Sequence, residues 1–546
     1  MKTLKLFCGA SVAVLLCAFA TPAQEMQPHK HEMGEKLGRV NFNVSCNKAA
    51  QQQFNRAVAL LHSFWYEEAE KGFAEVTKTD SKCGMGYWGI AMSSYHQVWA
   101  PPVAADLQKG MTAMQKAGAV GARTQRERDY ISAIDTFYKE ADKLDHRTRS
   151  LAYEKAMEQL YLRYSKDHEA AVFYALALLG TAQPTDKTYA NQKRAAEILN
   201  KVLVAEPQHP GVTHYIIHSF DYPALATLAL AAARSYAKIA PSSPHALHMP
   251  SHIFTRLGLW QESIESNIAS AAAAKNHLAK THPGVLAFDQ LHAMDYLAYA
   301  YLQTAQDDKA KEMVDTLYRM NKVDANVFQA AYAFAAIPAR YALERRQWSE
   351  AAALKVHPTD FPWNKFAYAE AMIYFARSLG ASRSGDPAAA SKDIARLTAI
   401  QKSLSEAKES YWATQVEIQS RAAAAWLAHA EGKNEEASKL MRSAADLEDT
   451  TEKHPVTPGA IVPAREMLGE LLLELREPQQ ALKEFEASLL VSPNRFNGLY
   501  GAAKAAELSG DRAKAATFYA KLTALAERSD GKRPELQAAK VFLASM

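Results

Sequence analysis

The sequence lacks the short motifs that mark several common enzyme classes. It contains no glycine-rich phosphate loop, no Gly-x-Ser-x-Gly elbow, no Cys-x-x-Cys pair and no His-Glu-x-x-His run. The strict alternation of apolar and polar residues that is typical of strands is also scarce. The sequence therefore does not support a nucleotide enzyme, a serine hydrolase, a common zinc protease or a sheet-based fold.

The chain also has little net charge and few cysteines. The chain has 63 basic residues against 59 acidic ones, so neither nucleic acid nor an anionic membrane is indicated as a partner. Of four cysteines, Cys8 and Cys17 fall in the N-terminal apolar segment, which leaves Cys46 and Cys83. In an oxidising compartment this even count predicts a disulfide, which would contribute roughly 4 kcal/mol by closing a loop of about 38 residues. Two buried thiols are the alternative.

A long apolar run occurs at the N-terminus and nowhere later in the chain. Lys2 and Lys5 precede an apolar stretch over 6–19, and the small-residue exit 21–23 follows it. This pattern is typical of a secretory signal peptide, which we place at residues 1–23. The sequence therefore predicts a periplasmic or secreted protein whose mature chain has no membrane span.

The most informative positive feature is a histidine pair that recurs after 34 residues. His214 and His218 stand in THYIIHSFD, and His248 and His252 stand in LHMPSHIFT. A spacing of four places both imidazoles on one face of a helix, and 34 is the period of a helix–turn–helix repeat. We expect four histidines on one patch, as a site for a transition metal such as zinc or copper. Contact with an organic or peptide ligand and structural packing are the alternatives, and Pro250 is expected to kink or delay the second helix.

Helical periodicity dominates the rest of the chain and repeats with the same period. One C-terminal unit carries a small residue, an alanine, an aromatic residue and a proline at fixed offsets, which are Gly469, Ala481, Phe485 and Pro493. The first three positions recur as Ala503, Ala515 and Tyr519. Small residues let paired helices approach closely, the aromatic ring fills the space between them, and the proline ends the second helix.

This pattern resembles the tetratricopeptide repeat family, strongly in these two units and more loosely in about six others within residues 45–525. The resemblance implies an all-α fold, a right-handed α-solenoid of antiparallel helix pairs with a concave groove that holds ligands. Insertions near 277–288 and 450–459 interrupt the frame, and they either divide the solenoid or cover the groove. A loop is predicted between residues 379 and 391.

The sequence divides into seven predicted segments. They are the signal peptide (1–23), a flexible polar arm with His29 and His31 (24–44), N-terminal repeats (45–175), central repeats with the histidines (176–320), further helical repeats (321–415), C-terminal repeats (416–527) and a tail helix (528–546).

The resemblance also implies which side chains face the groove. Besides the four histidines, they are Asp221, Tyr222, His245, Arg256, His292, Asp295 and Tyr299, with Trp88 and His96 nearer the N-terminus. Asp221 or Asp295 is expected either to bind the metal or to fix a histidine tautomer. Core packing is the alternative for Trp88 and its aromatic neighbours. Trp412, Gln415 and Glu417 form a further candidate group, whereas Asn494 and Arg495 are interpreted as capping or surface residues.

These patterns predict an exported binding or scaffold protein with a ligand in its concave groove. That ligand is a protein, a peptide or a small molecule, accompanied by a histidine-coordinated zinc or copper ion. The alternative is a metal-dependent enzyme that uses the same four histidines, with one coordination position open for water or substrate. Because the sequence carries no reaction-specific motif, we do not predict a particular activity.

Overall fold

The computed structural model describes residues 35–98, 101–280, 282–320 and 322–546. The predicted signal peptide and the two histidines of the predicted arm, His29 and His31, lie outside these residues. Residues Lys36–Met546 form one compact unit. Within the described ranges the β-structure is confined to a single bridge between Leu286 and Val323. No helix in that part of the chain is long and apolar enough to span a bilayer.

Helices follow one another along the described chain. Those before residue 280 are α1 (Lys48–His62), α2 (Tyr66–Thr79), α3 (Gly84–Ser93), α4 (Ala104–Val120), α5 (Gln125–Tyr138), α6 (His146–Arg163), α7 (His168–Thr181), α8 (Ala190–Ala205), α9 (Pro210–Phe220), α10 (Leu230–Ile239), α11 (Pro244–His248), α12 (Pro250–Arg256) and α13 (Trp260–Ala279). Those after it are α14 (Phe288–Gln303), α15 (Asp307–Arg319), α16 (Phe328–Glu344), α17 (Trp348–Ala352), α18 (Ala367–Ser384), α19 (Pro387–Glu406), α20 (Ser410–Ala430), α21 (Asn434–Asp449), α22 (Ala464–Glu474), α23 (Pro478–Val491), α24 (Phe496–Leu508), α25 (Arg512–Leu525) and α26 (Pro534–Ala544). Short 3₁₀ turns at Ala226–Ala229 and Trp363–Lys365 join neighbouring helices.

The helices stack in the manner of a repeat protein. Each one packs mainly on its neighbours in sequence, as α1 does on α2 and α18 on α19. First helices of successive pairs also touch, as α14 touches α16 and α16 touches α18. The chain is therefore an all-α solenoid of paired helices, as the sequence predicts.

The small and aromatic signature residues of the repeat allow close packing between paired helices. Ala481 and Phe485 are fully buried. A Cβ atom added to Gly469 would lie 2.8 Å from the Phe485 ring, and one added to Gly501 would lie 2.2 Å from it. Two helices thus approach the same ring from both sides, and no larger residue fits at either glycine.

A left-handed residue recurs in the turn after the first helix of a pair. It stands two positions beyond the helix end, as in Gly258 (φ 64°), Ala305 (φ 53°) and Gly432 (φ 79°). Glycine is the favoured residue there because it has no Cβ to clash. Phe64 occupies the same position after α1 with φ 52°. A bulky residue in this conformation costs about 1–2 kcal/mol, so its ring needs a compensating contact.

Two sequence predictions about loops are wrong. The end of the predicted flexible arm is packed, because Leu37, Val40 and Phe42 are buried in the N-terminal core. The Phe42 ring lies 5.5 Å from the ring of Trp88. The predicted loop at 379–391 shrinks to residues 385–386, since the alanines on both sides favour helix and extend α18 and α19.

A disulfide and a buried arginine each join separate segments of the chain. The disulfide predicted from the cysteine count joins Cys46 to Cys83, with Cα atoms 5.2 Å apart. Arg495, predicted to be a capping or surface residue, stands at the N-cap position of α24 but is fully buried, and its side chain donates to Glu344, Glu466 and the Tyr299 hydroxyl at 2.7–2.9 Å. Because these partners lie on other helices far away in sequence, local pattern does not reveal them.

Replacing Arg495 with Met should destabilise the fold strongly. The substitution leaves the buried carboxylates of Glu344 and Glu466 without their shared cation, which costs about 3–5 kcal/mol in comparable cases. The measurement is the free energy of unfolding by denaturant. Arg234→Met, which breaks an exposed pair with Glu262, is the control and should have little effect. Equal stability of both variants would contradict this account of Arg495.

Candidate metal centre

The repeated histidine pairs lie on α9 and on the segment formed by α11 and α12. Proline starts each of these three helices, where its missing N–H leaves no hydrogen bond unmade. Pro250 divides the second segment after Met249, so His248 ends α11 and His252 lies within α12. Despite this break both histidines remain buried, at 2% exposure each.

The six histidines of this region form two groups of three. The first triad, His214, His218 and His245, brings three Nε2 atoms together. His214 Nε2 lies 3.1 Å from that of His218 and 3.2 Å from that of His245. Three Zn–N bonds of ordinary length at tetrahedral angles would separate the nitrogens by about 3.3 Å. The two separations from His214 therefore fit one shared ion.

The second triad is His248, His252 and His292. The Nε2 atoms of His248 and His252 are 3.0 Å apart, and the ring centroid of His292 lies 4.2 Å from that of His248. In each triad the ligand atoms all fall within 4.8 Å of one another. All six imidazoles are buried, with exposures of 0–7%.

This grouping differs from the single four-histidine set predicted from the sequence. The two predicted pairs fall into different triads, and each triad is completed by a residue predicted for the groove, His245 or His292. The triads are nonetheless adjacent, since His218 and His252 have ring centroids 6.1 Å apart, as do His245 and His248. The sequence located the right helices but not which nitrogens converge.

The outer nitrogens of three histidines have acceptors that fix the tautomer. His214 Nδ1–H donates to the carbonyl oxygen of His62 at 2.6 Å. His248 Nδ1–H donates to Asn267 Oδ1 at 2.6 Å, and the amide of Asn267 is oriented by its own donation to Ser263. His252 Nδ1–H donates to the carboxylate of Asp221 at 3.0 Å. Such outer partners are typical of metal-binding histidines.

These tautomers leave lone pairs facing each other at the centre. In the second triad, His248 and His252 have both given their proton to the outer nitrogen, yet their Nε2 atoms are 3.0 Å apart. Two neutral imidazoles in this state have no proton to share across that contact. In the first triad, the single Nε2 lone pair of His214 faces two nitrogens and can accept from one of them. The Tyr296 hydroxyl lies 3.3 Å from His252 Nε2 and is a weak alternative donor there, whereas a cation between the nitrogens would satisfy all of these lone pairs.

Burial keeps the six imidazoles neutral. It lowers the pKa of His214 to about 3 and the pKa values of His218, His245, His248 and His292 well below 6.5. The neighbouring histidines lower these pKa values further, because two charged imidazoles would repel each other. Neutral imidazole is the form that binds zinc and copper.

Asp221 is held by three donors at the edge of the second triad. Its carboxylate accepts from His252, from Arg256 Nε at 2.9 Å and from Lys453 Nζ at 2.6 Å. Burial alone would raise the pKa of Asp221, but the charges of Lys453 and Arg256 hold it below the ordinary value. Asp221 therefore acts as the tautomer-fixing partner, which is one of the two roles predicted for it. Lys453 was missed because it stands in the inserted segment at 450–459.

A third group, His62, Glu169 and His209, also has ligand atoms within 4.8 Å. Its hydrogen bonds are complete without an ion. Glu169 accepts from both His62 Nε2 and His209 Nε2, at 2.9 and 3.1 Å. His62 Nδ1 accepts from the Tyr215 hydroxyl, and His209 Nδ1 accepts from the backbone N–H of Val212. This group fixes α1 against α9 and so positions the His62 carbonyl that orients His214.

The centre is covered on two sides rather than open to a groove. The Phe64 ring stacks on His218 and His245 at 5.6 Å and meets His214 edge-on at 4.4 Å, which compensates its left-handed backbone. On the other side the 450–459 insertion crosses the centre, where Tyr296 donates to the carbonyl of Val456 at 3.2 Å. Of the two roles suggested for this insertion, covering the site is the one observed.

The other residues predicted to line the groove lie outside the histidine triads. Asp295 pairs with buried Arg340, and Tyr299 binds Arg495. The Tyr222 hydroxyl accepts from Gln192 at 2.9 Å. Trp88 is packed among core aromatics, at 1% exposure, which is the alternative stated for it. His96 packs on Tyr66 and belongs to none of the three ligand groups found among the described residues. On α14 the face that meets the triads carries His292 and Tyr296.

Comparison with known proteins identifies no family for the chain, and no curated protein matches it. Three similar solved structures are the APC/C hetero-tetramer Cut9–Hcn1 (13% identity, 91% of this chain and 83% of that chain, TM-score 0.36), the human IFIT1 dimer with PPP-AAAA (12%, 80% and 90%, 0.38) and yeast Tom70 (11%, 91% and 96%, 0.33). Similarity this low carries no argument about either fold or function.

Asp221→Asn should weaken metal binding at the second triad and spare the first. Loss of an outer carboxylate partner typically lowers metal affinity about 10–100-fold, because the histidine is less basic and less firmly oriented. Competition with a chelator of known affinity measures this change. Asp315→Asn, which removes an exposed carboxylate paired with Lys311, is the control. Unchanged affinity in Asp221→Asn would contradict the role assigned to Asp221.

Proposed function

We propose that this protein is an exported helical-repeat protein that binds two transition-metal ions, one at each histidine triad. The observation that carries this proposal is the convergence of Nε2 lone pairs whose opposite nitrogens are already engaged. Zinc and copper are the proposed ions, because neutral imidazole suits both. The Cys46–Cys83 disulfide supports export, since such bonds persist in oxidising compartments.

The architecture supports a binding role for the protein as a whole. A solenoid of helix pairs presents residues from many repeats to one ligand, and here three successive repeats supply the histidines. The ligand predicted for the concave groove remains part of this proposal. Its identity as protein, peptide or small molecule is a separate question from the metal.

A metal-dependent enzyme is the second candidate function. The observation in its favour is the number of ligands, because three protein ligands per ion leave a coordination position for water or substrate, as in catalytic zinc sites. A structural zinc site, by contrast, is usually closed by four protein ligands. Activity screening is justified once metal content is established.

Metal analysis of single-histidine variants tests the two-ion proposal. Protein purified without a His tag should contain close to two ions per chain, measured by mass spectrometry after reconstitution with zinc or copper. His245→Ala should lose the ion of the first triad and His292→Ala that of the second, because each change leaves two ligands. His168→Ala, which removes a partly exposed histidine paired with Glu206, is the control.

Two results would contradict metal binding at the triads. One is the absence of bound metal in the wild-type protein after reconstitution. The other is equal metal content in all three variants. A single ion that both triad variants abolish would favour one shared site over two.

Metal removal should also lower thermal stability. An ion that binds the folded chain and not the unfolded one stabilises it by about 4 kcal/mol when the free ion exceeds its Kd a thousandfold. Differential scanning calorimetry before and after dialysis against a chelator measures the fall in Tm, and added metal should restore it. An unchanged Tm after verified loss of the ions would show that the centre does not depend on them for its stability.

A further inference from the structure

Asp221 and its partners Arg256 and Lys453 lie between the histidines and a cavity. It has a volume of about 540 Å³, which is within the range of small-molecule sites. Arg256 and Lys453 line it, and both bind Asp221. Asp221 in turn binds His252, so one layer of side chains separates the cavity from the second triad.

The cavity wall carries one cation more than its buried acids balance. Arg256, Lys453 and Asp221 are all at least nine-tenths buried, and two positive charges share the one carboxylate. The other charged residues of the wall are matched. Lys187 pairs with Glu452 at 2.8 Å, and Arg465 pairs with Asp449 at 2.6 Å.

The remaining acid of the wall is Glu448. It accepts a hydrogen bond from the backbone N–H of Ala464, the first residue of α22. Burial nevertheless raises the pKa of Glu448 to about 7, so this group carries only part of a negative charge near neutral pH. A buried surplus of positive charge is costly unless an anion joins it.

Flat side chains form another part of the same wall. The rings of Tyr368 and Trp412 stack 4.2 Å apart with an angle of 12° between their planes, and both line the cavity. His454 also stacks on Trp412, at 5.2 Å, so these rings give the cavity apolar surface rather than an open stacking face, and they favour an apolar ligand body. The cavity also contains Gln419, whose Oε1 is buried and receives no hydrogen bond from the described residues. A hydroxyl group on the ligand would supply that donor.

We propose that the cavity binds a small organic anion with a flat apolar body, its carboxylate placed against Arg256 and Lys453 and a hydroxyl group directed to Gln419. This inference deepens the binding role proposed above and rests on it, but it does not require the metal ions. The 450–459 insertion supplies Lys453 and so forms part of the binding site as well as the cover of the histidines.

Isothermal titration with 4-hydroxybenzoate tests the proposal on the full-length exported protein. The wild-type protein should bind one molecule, and the neutral analogue 4-hydroxybenzyl alcohol should bind at least about tenfold more weakly, because it lacks the charge that completes the cavity. Lys453→Met should weaken binding of the anion by at least about tenfold. Asp221 retains Arg256 and His252 in this variant, so the fold should persist, as the Tm will verify.

Two further variants separate charge from shape. Trp412→Leu removes part of the flat wall without changing charge and should weaken both probes. Lys311→Met, an identical substitution at an exposed pair with Asp315, should bind as the wild type does. Absence of 4-hydroxybenzoate binding, equal binding of the alcohol, or unchanged binding in Lys453→Met would each overturn the proposal.

Metal content measured on the same samples keeps the two proposals distinct. If the wild-type protein contains two ions but does not bind 4-hydroxybenzoate, the ligand assignment is overturned and the metal proposal stands. Probe binding in protein that takes up no metal overturns the metal proposal and supports the ligand assignment.

Discussion

A buried imidazole has two nitrogens, and each needs a partner. This requirement governs the centre of the molecule. The outer nitrogens of His214, His248 and His252 meet a carbonyl, an amide and a carboxylate, so their lone pairs point inward. The surrounding structure serves that arrangement: the His62–Glu169–His209 group places the carbonyl, α13 places the amide of Asn267, and Arg256 with Lys453 holds the carboxylate.

The same need for satisfied polar groups explains the buried charges beyond the centre. Arg495 and Arg340 lie in the helical stack with carboxylates from other repeats, so they fix how distant helix pairs fit together. In each case a cation meets the acids that surround it. The cavity wall at Arg256 and Lys453 is different, because two cations meet one acid there.

The period of 34 was enough to predict the solenoid and the helices that carry the histidines. Repetition fixes local structure, and the positions of small and aromatic residues such as Gly469 and Phe485 report how paired helices touch. The sequence did not reveal which nitrogens converge, since His292 enters from α14 and completes a triad begun on α11 and α12. Nor did it reveal Lys453, whose partner Asp221 is 232 residues away, because no periodic signal links an insertion to a helix end. The buried ion pairs of Arg495 were missed for the same reason.

The order of the residues along the chain has a consequence for how the centre is assembled. All six triad histidines, and the carbonyl, amide and carboxylate that orient them, belong to the first 292 residues. The cover at 450–459 belongs to a much later part of the sequence. A chain that folds from its N-terminus thus completes the ligand set while one side still faces solvent. In this order the proposed ions would enter before closure, and the late insertion would then cover them.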